Sequence, residues 1–106
     1  MARPIKLCEA PGEGDWVAAT HEGAFYLVVR REATLYCIDD WCNHAGCLLS
    51  EGRVEREQVV CGCHEAAFSL VTGEILSTPA ICQGQAAFEV SERQGTVWLL
   101  GPREEG

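Results

Sequence analysis

Cys42-Asn43-His44-Ala45-Gly46-Cys47, followed after a connection by Cys61-Gly62-Cys63-His64, organises the rest of the chain. Cys42 and His44 form a C-x-H pair and Cys61 and His64 a C-x-x-H pair, with sixteen residues between His44 and Cys61. That interval is long enough for a short strand hairpin that brings the two loops together. Each loop then offers one thiolate and one imidazole, a set of four ligands. Soft thiolates with borderline imidazoles suit zinc or an iron–sulfur centre, and suit calcium or magnesium badly.

The order of the ligands carries further information. A zinc finger of the common kind draws both cysteines from one knuckle and both histidines from one helix. Here each loop is mixed, and nothing around His44 or His64 has helical patterning. Mixed loops match a [2Fe–2S] cluster in which two cysteines hold one iron and two histidines the other. The pattern C-x-H-x16-C-x-x-H, with Gly46 and Leu48 after the first pair and Phe68 after the second, resembles the Rieske [2Fe–2S] proteins over nearly the whole chain. The resemblance implies one Rieske-type [2Fe–2S] cluster, with Cys42, His44, Cys61 and His64 as its metal ligands. It also implies an all-β fold, a Rieske-like antiparallel β sandwich or barrel. Residues 1–106 would be a single Rieske domain, with residues 40–80 or so inserted as a cluster-binding subdomain.

The patterning of the chain agrees with an all-β reading. Residues 24–31 are a continuous apolar run rich in aromatic and β-branched side chains, the mark of a well-buried strand. After a Glu32-Ala33 turn, residues 34–38 return as its hairpin partner. An edge strand is expected around residues 5–8, and a weakly alternating segment over residues 15–20. Residues 54–60 read as a short hairpin with a polar tip, and residues 69–76 as another around Val71-Thr72-Gly73. A loop from Pro79 could pass across the cluster face. Residues 86–91 and 96–100 flank Glu92-Arg93-Gln94-Gly95 as a last hairpin. Short strands with turn signals at steady intervals indicate a sandwich or barrel, with no convincing helix and no internal repeat.

At 106 residues the chain has the length of one domain, and its net charge of −8 argues against nucleic acid as a partner. It favours a partner with a basic docking face. Residues 1–7 hold no apolar run that would serve as a signal-peptide core, and the longest run, residues 24–29, is far too short to span a bilayer. A cytoplasmic protein with no membrane span is expected. Of the seven cysteines, Cys8, Cys37 and Cys82 lie in apolar or strand-like surroundings and are expected to be reduced and structural. Cys47 and Cys63 remain, one in each cluster loop.

The resemblance extends to tuning and function. Two imidazoles in place of two thiolates raise the potential, to roughly −150 to +300 mV across the type. The family's histidine-bound iron takes the electron, which makes His44 and His64 the expected exit. Where high-potential respiratory members carry a serine and a tyrosine that donate hydrogen bonds toward the cluster, this chain has Ala66 and Phe68. Glu65 stands where a glycine is usual. A carboxylate about 7 Å from the cluster, at an effective dielectric near 20, is worth roughly 2 kcal/mol, on the order of 0.1 V. Both features point to a low potential, suited to oxygenase chemistry. Cys47 and Cys63 point the other way, since respiratory members join these positions by a disulfide. The leading expectation is a non-enzymatic one-electron carrier, a ferredoxin passing electrons from a flavoprotein or other reductase to a terminal oxygenase. A Rieske subunit or head domain of a respiratory or molybdenum-oxidase complex is a second class. A structural zinc module, or a redox-sensing cysteine pair, is a third.

Overall fold

The apolar run at residues 24–31 forms a strand buried on both faces, and the rest of the architecture follows from that. In the computed structural model, which describes residues 4–42, 47–62, 65–76 and 84–103, this strand is the third of nine among the described residues. The strands are β1 (Ile5–Glu9), β2 (Trp16–His21), β3 (Ala24–Arg31), β4 (Thr34–Asp39), β5 (Arg53–Glu55), β6 (Gln58–Val60), β7 (Ala67–Ser69), β8 (Ala87–Arg93) and β9 (Thr96–Pro102). They make a six-stranded antiparallel sheet in the order β1-β9-β8-β4-β3-β2 and a three-stranded sheet in the order β5-β6-β7. The small sheet lies in sequence between β4 and β8, which pair directly through Cys37 with Phe88 and Ile38 with Ala87.

Side chains alternate along a strand, so β3 feeds two separate cores. Leu27 and Val29 point to one, with Ile38 of β4, Leu49, Val59, Phe68 and Leu70. Tyr26 and Val28 point to the other, with Cys37, Val97 and Leu99. The first core is shared between the large and small sheets, and Cys42 and Cys61 are part of it. An indole bond adds to the docking: Trp16 Nε1 of β2 donates to the Ser50 carbonyl at 2.9 Å.

Three hairpins turn on two residues with positive φ: Glu22-Gly23, Glu32-Ala33 and Gln94-Gly95. Such turns match the right-handed twist of the flanking strands. Glu32-Ala33 has no glycine to relieve that geometry, and the Glu13 carboxylate holds it by accepting the N–H groups of Glu32 and Ala33 at 2.7 and 2.8 Å.

Several expectations change in detail. The last hairpin closes on Gln94-Gly95 alone, because β8 stays paired as far as Arg93 with Thr96. β7 draws its three register pairs from β6, whereas the return at residues 74–76 amounts to a single bridge between Phe68 and Ile75. A short 3₁₀ turn, Leu49–Glu51, appears where no helix was expected. It forms because Leu49 N–H is taken by the Asp40 carbonyl at 2.7 Å, which bends the chain back toward β5. The expected loop from Pro79 lies outside the described residues. Among the described residues no helix is long and apolar enough to cross a membrane.

Candidate metal centre

Two loops with the same backbone frame carry the cysteines of the motif. In the first, Trp41 bridges Leu48, and Cys42 N–H donates to the Cys47 carbonyl at 2.7 Å. In the second, Val60 pairs with Ala67, and Cys61 N–H donates to the Ala66 carbonyl at 2.8 Å. Each loop thus runs for six residues between a paired flanking couple, with its cysteine in the first place. Both cysteines are fully buried and both are free thiols. His44, Cys63 and His64 lie outside the described residues. Among the described residues no group of three or more metal-ligating side chains converges.

The donor chemistry fits a metal–sulfur group. A buried free cysteine is ordinarily a small hydrophobe, and Cys37 is such a case: burial pushes its thiol up to about 12. Burial also raises Cys8. Neither is a thiolate near neutral pH, and both belong to the other core. Cys42 and Cys61 differ by their matched places in twin loops, from which two thiolates could hold one iron.

What holds the loops together was mostly invisible in the sequence. Gly52, at the exit of the 3₁₀ turn, lies against the base of the second loop. A Cβ there would stand 1.9 Å from the Val60 carbonyl oxygen and 3.0 Å from Gly62 N. Only a glycine lets the exit of the first loop approach the entry of the second this closely. Asp40 and Gln85 are the two buried polar or charged side chains among the described residues, and both serve the first loop. Asp40 accepts Ser50 N–H at 2.6 Å and the Ser50 hydroxyl at 2.7 Å. Burial raises its carboxyl above the usual range, and the two Ser50 bonds partly offset that rise. Gln85 Nε2 donates to the carbonyls of Asp39 at 2.8 Å and Trp41 at 2.6 Å. Leaving such a buried group unpaired costs about 1–3 kcal/mol.

The positions expected to tune the potential are placed as follows. Ala66 is buried and Phe68 is the largest fully buried side chain among the described residues, packed in the core that contains Cys42 and Cys61. Neither brings a hydroxyl. Glu65 has a φ of 54°, a left-handed conformation that explains why glycine suits the position. Its side chain is 76% exposed and faces Arg53 at 3.7 Å, so water and a cation both weaken its field. Any field it sets up at the centre is weakened accordingly, below the order expected from the sequence.

A family model described as the Rieske [2Fe–2S] domain matches residues 5–91. The chain belongs to the Rieske [2Fe–2S] domain family. Its cofactor is accordingly a Rieske-type [2Fe–2S] cluster rather than zinc. This Rieske chain is 32% identical over 75 residues to the ferredoxin component of the naphthalene 1,2-dioxygenase system of Pseudomonas aeruginosa, covering 71% of each chain. It is 32% identical over 103 residues to Ferredoxin CarAc of Metapseudomonas resinovorans, covering 94% of this chain and 95% of the relative. A chain in the solved complex of reduced oxygenase and oxidized ferredoxin in carbazole 1,9a-dioxygenase superposes with a TM-score of 0.83. That match covers 97% of both chains at 28% identity. The Rieske fold and the twin loops are thus two views of one assignment.

Proposed function

We propose that this chain is the ferredoxin of an oxygenase system, a one-electron carrier that accepts electrons from a flavoprotein or other reductase and delivers them to a terminal oxygenase. The observation that carries this reading is the pair of buried free thiols, Cys42 and Cys61, at matched places in twin loops of a Rieske domain. Two relatives that this chain resembles are ferredoxins, one of them a named component of a dioxygenase system, which supports the same role.

The cluster, when bound, supplies a one-electron couple. Cys42 and Cys61 would hold one iron, and His44 and His64 the other. Residues 1–106 would act as one domain, with residues 40–80 as its cluster-binding part, in the cytoplasm. No catalytic site of its own is needed. A mononuclear oxygenase iron asks for two further histidines and a carboxylate. The remaining histidine, His21, sits at the β2–β3 turn beside Glu22 at 3.6 Å.

One observation favours the second class, a head domain of a respiratory or molybdenum-oxidase complex. Cys47 and Cys63 stand one in each loop of the motif, and we assign a disulfide between them. Such a bridge would brace the two loops. Ala66 and Phe68, which offer no hydroxyl, weigh toward the oxygenase reading.

Rapid mixing of the dithionite-reduced protein with an oxidised terminal oxygenase tests the proposal. Reoxidation of the cluster in step with reduction of the oxygenase is expected. Transfer to a cytochrome c-type acceptor but to no oxygenase would move the assignment to the second class.

A further inference from the structure

Beside the first cluster loop lies a shallow groove of about 340 Å³, lined by Gly23, Ala24, Phe25, Tyr26, Asp39, Trp41 and Phe88. Its chemistry is aromatic and acidic. Trp41 stacks on Phe25 with ring centroids 5.5 Å apart and an interplanar angle of 30°. Tyr26 and Phe88 meet edge to face at 5.1 Å. Trp41 is 45% exposed, one of three large hydrophobic side chains among the described residues left so open. With Phe25 stacked against it the exposed indole forms part of an apolar patch, and such patches mark interaction sites.

The main chain that carries the indole is also fixed. Trp41 N–H donates to Asp39 Oδ1 at 3.0 Å, and its carbonyl is the one that Gln85 grips at 2.6 Å. The carboxylates of Asp39 and Glu22 lie within electrostatic reach of the Tyr26 phenol. That phenol is raised by burial first and then by Cys37, Asp39 and Glu22. No lysine or arginine lines the groove among the described residues. An electron-rich ring face beside carboxylates, on a chain of net charge −8, fits a cation. The groove adjoins the proposed metal centre along the chain, since Trp41 is joined to Cys42 by one peptide bond, about 3.8 Å between Cα atoms.

We propose that the Phe25–Trp41 groove receives a lysine or arginine side chain of the terminal oxygenase, seated on the Trp41 ring and facing Asp39. The proposal rests on the ferredoxin reading given above. Seating a basic side chain there would place the oxygenase against the first cluster loop in one orientation, with aromatic contact adding affinity and the carboxylates steering the approach.

The test uses the cluster-loaded protein and the terminal oxygenase of carbazole 1,9a-dioxygenase, with the half-saturating oxygenase concentration for electron transfer read at low and high salt. Trp41→Ala is expected to raise that concentration about tenfold at low salt, and Trp41→Phe by much less. Asp39→Asn, which keeps an oxygen to accept the Trp41 N–H, is expected to raise it about threefold and to flatten the salt dependence. The midpoint potential and the paramagnetic spectrum are expected to match the parent protein in each case. Should Trp41→Ala fail to hold its cluster, Phe25→Ala removes the stacking support from a separate strand and takes its place. Unchanged half-saturation in these variants would overturn the groove while leaving the ferredoxin reading intact. So would a loss seen only with the reductase, or one indifferent to Asp39→Asn and to salt. An unmodified protein that transfers no electrons to the oxygenase would overturn both.

Discussion

Cys61→Ser is expected to yield a folded but colourless protein, with no detectable iron and no visible absorption. Cys61 is fully buried in the core, and its backbone N–H is fixed to the Ala66 carbonyl at 2.8 Å. Serine fits that space and keeps the backbone bond, so the change removes the soft donor alone. A hydroxyl near neutral pH is a poor ligand for iron in a sulfide cluster, where thiolate is preferred. Cys42→Ser is expected to behave alike, because Cys42 holds the same place in the first loop. Cys37→Ser is the control. Its side chain is as well buried, but in the other core, so it should keep colour and iron while losing about 1–3 kcal/mol of stability to an unpaired hydroxyl. Iron content, visible absorption and far-ultraviolet circular dichroism separate the two outcomes. Full cluster content in Cys61→Ser would remove it from the ligand set.

Gly52→Ala is the second large effect. The added Cβ would meet the Val60 carbonyl oxygen at 1.9 Å, and the next atoms, Gly62 N and Val60 C, at 3.0 Å. All are backbone, so no side chain can swing aside. The two loops must separate or the 3₁₀ turn must unwind, at an expected cost of about 3 kcal/mol or more. That corresponds to a fall in Tm of roughly 12 °C or more for a chain of this size. Cluster retention should fall as well, because the contact sets the distance between the loops. Gly95→Ala gives the comparison. Gly95 sits at φ 79° with no atom within 4 Å of its Cβ direction, so only the left-handed conformation is penalised, by about 1–2 kcal/mol. Thermal melts of both variants, with and without cluster, measure the difference. Equal losses in the two would mean that the close approach at Gly52 is not structural.

The strands were legible where local pattern and local pairing coincide. The run at residues 24–31 and its return at 34–38 announced a hairpin, and the registers of β3 and β4 follow it, with β4 running one residue further to Asp39. The polar tip near Glu55-Arg56-Glu57 likewise marked the turn between β5 and β6, although Glu55 itself still pairs with Gln58. Pairings set by topology left no local mark. β1 joins β9 from the opposite end of the chain, and β7 prefers β6 to its own return arm. The cluster type was legible through residue type and spacing, as the match to the Rieske domain bears out, and Cys42 and Cys61 are the thiols proposed to hold it. The supports of the site were not. Gln85 reaches the Asp39 and Trp41 carbonyls across 46 and 44 positions. Its amide in an unpatterned stretch gives no sign of that. Asp40 and Ser50 look like ordinary loop residues until the 3₁₀ turn brings them within 2.7 Å. Gly52 carries no local mark of its role, which is set by the neighbouring backbone that a Cβ would meet. The exposure of Trp41 is a property of the folded surface, and composition ran against it.

The most direct test of the account is a potentiometric titration followed by paramagnetic resonance of the reduced protein, with hyperfine analysis of the ligand nitrogens. A single [2Fe–2S] signal with two directly bound imidazole nitrogens is expected, appearing only near or below about −100 mV, toward the lower end of the range for this cluster type. A cluster with no bound nitrogen, or a protein with no reducible iron at any potential, would contradict it.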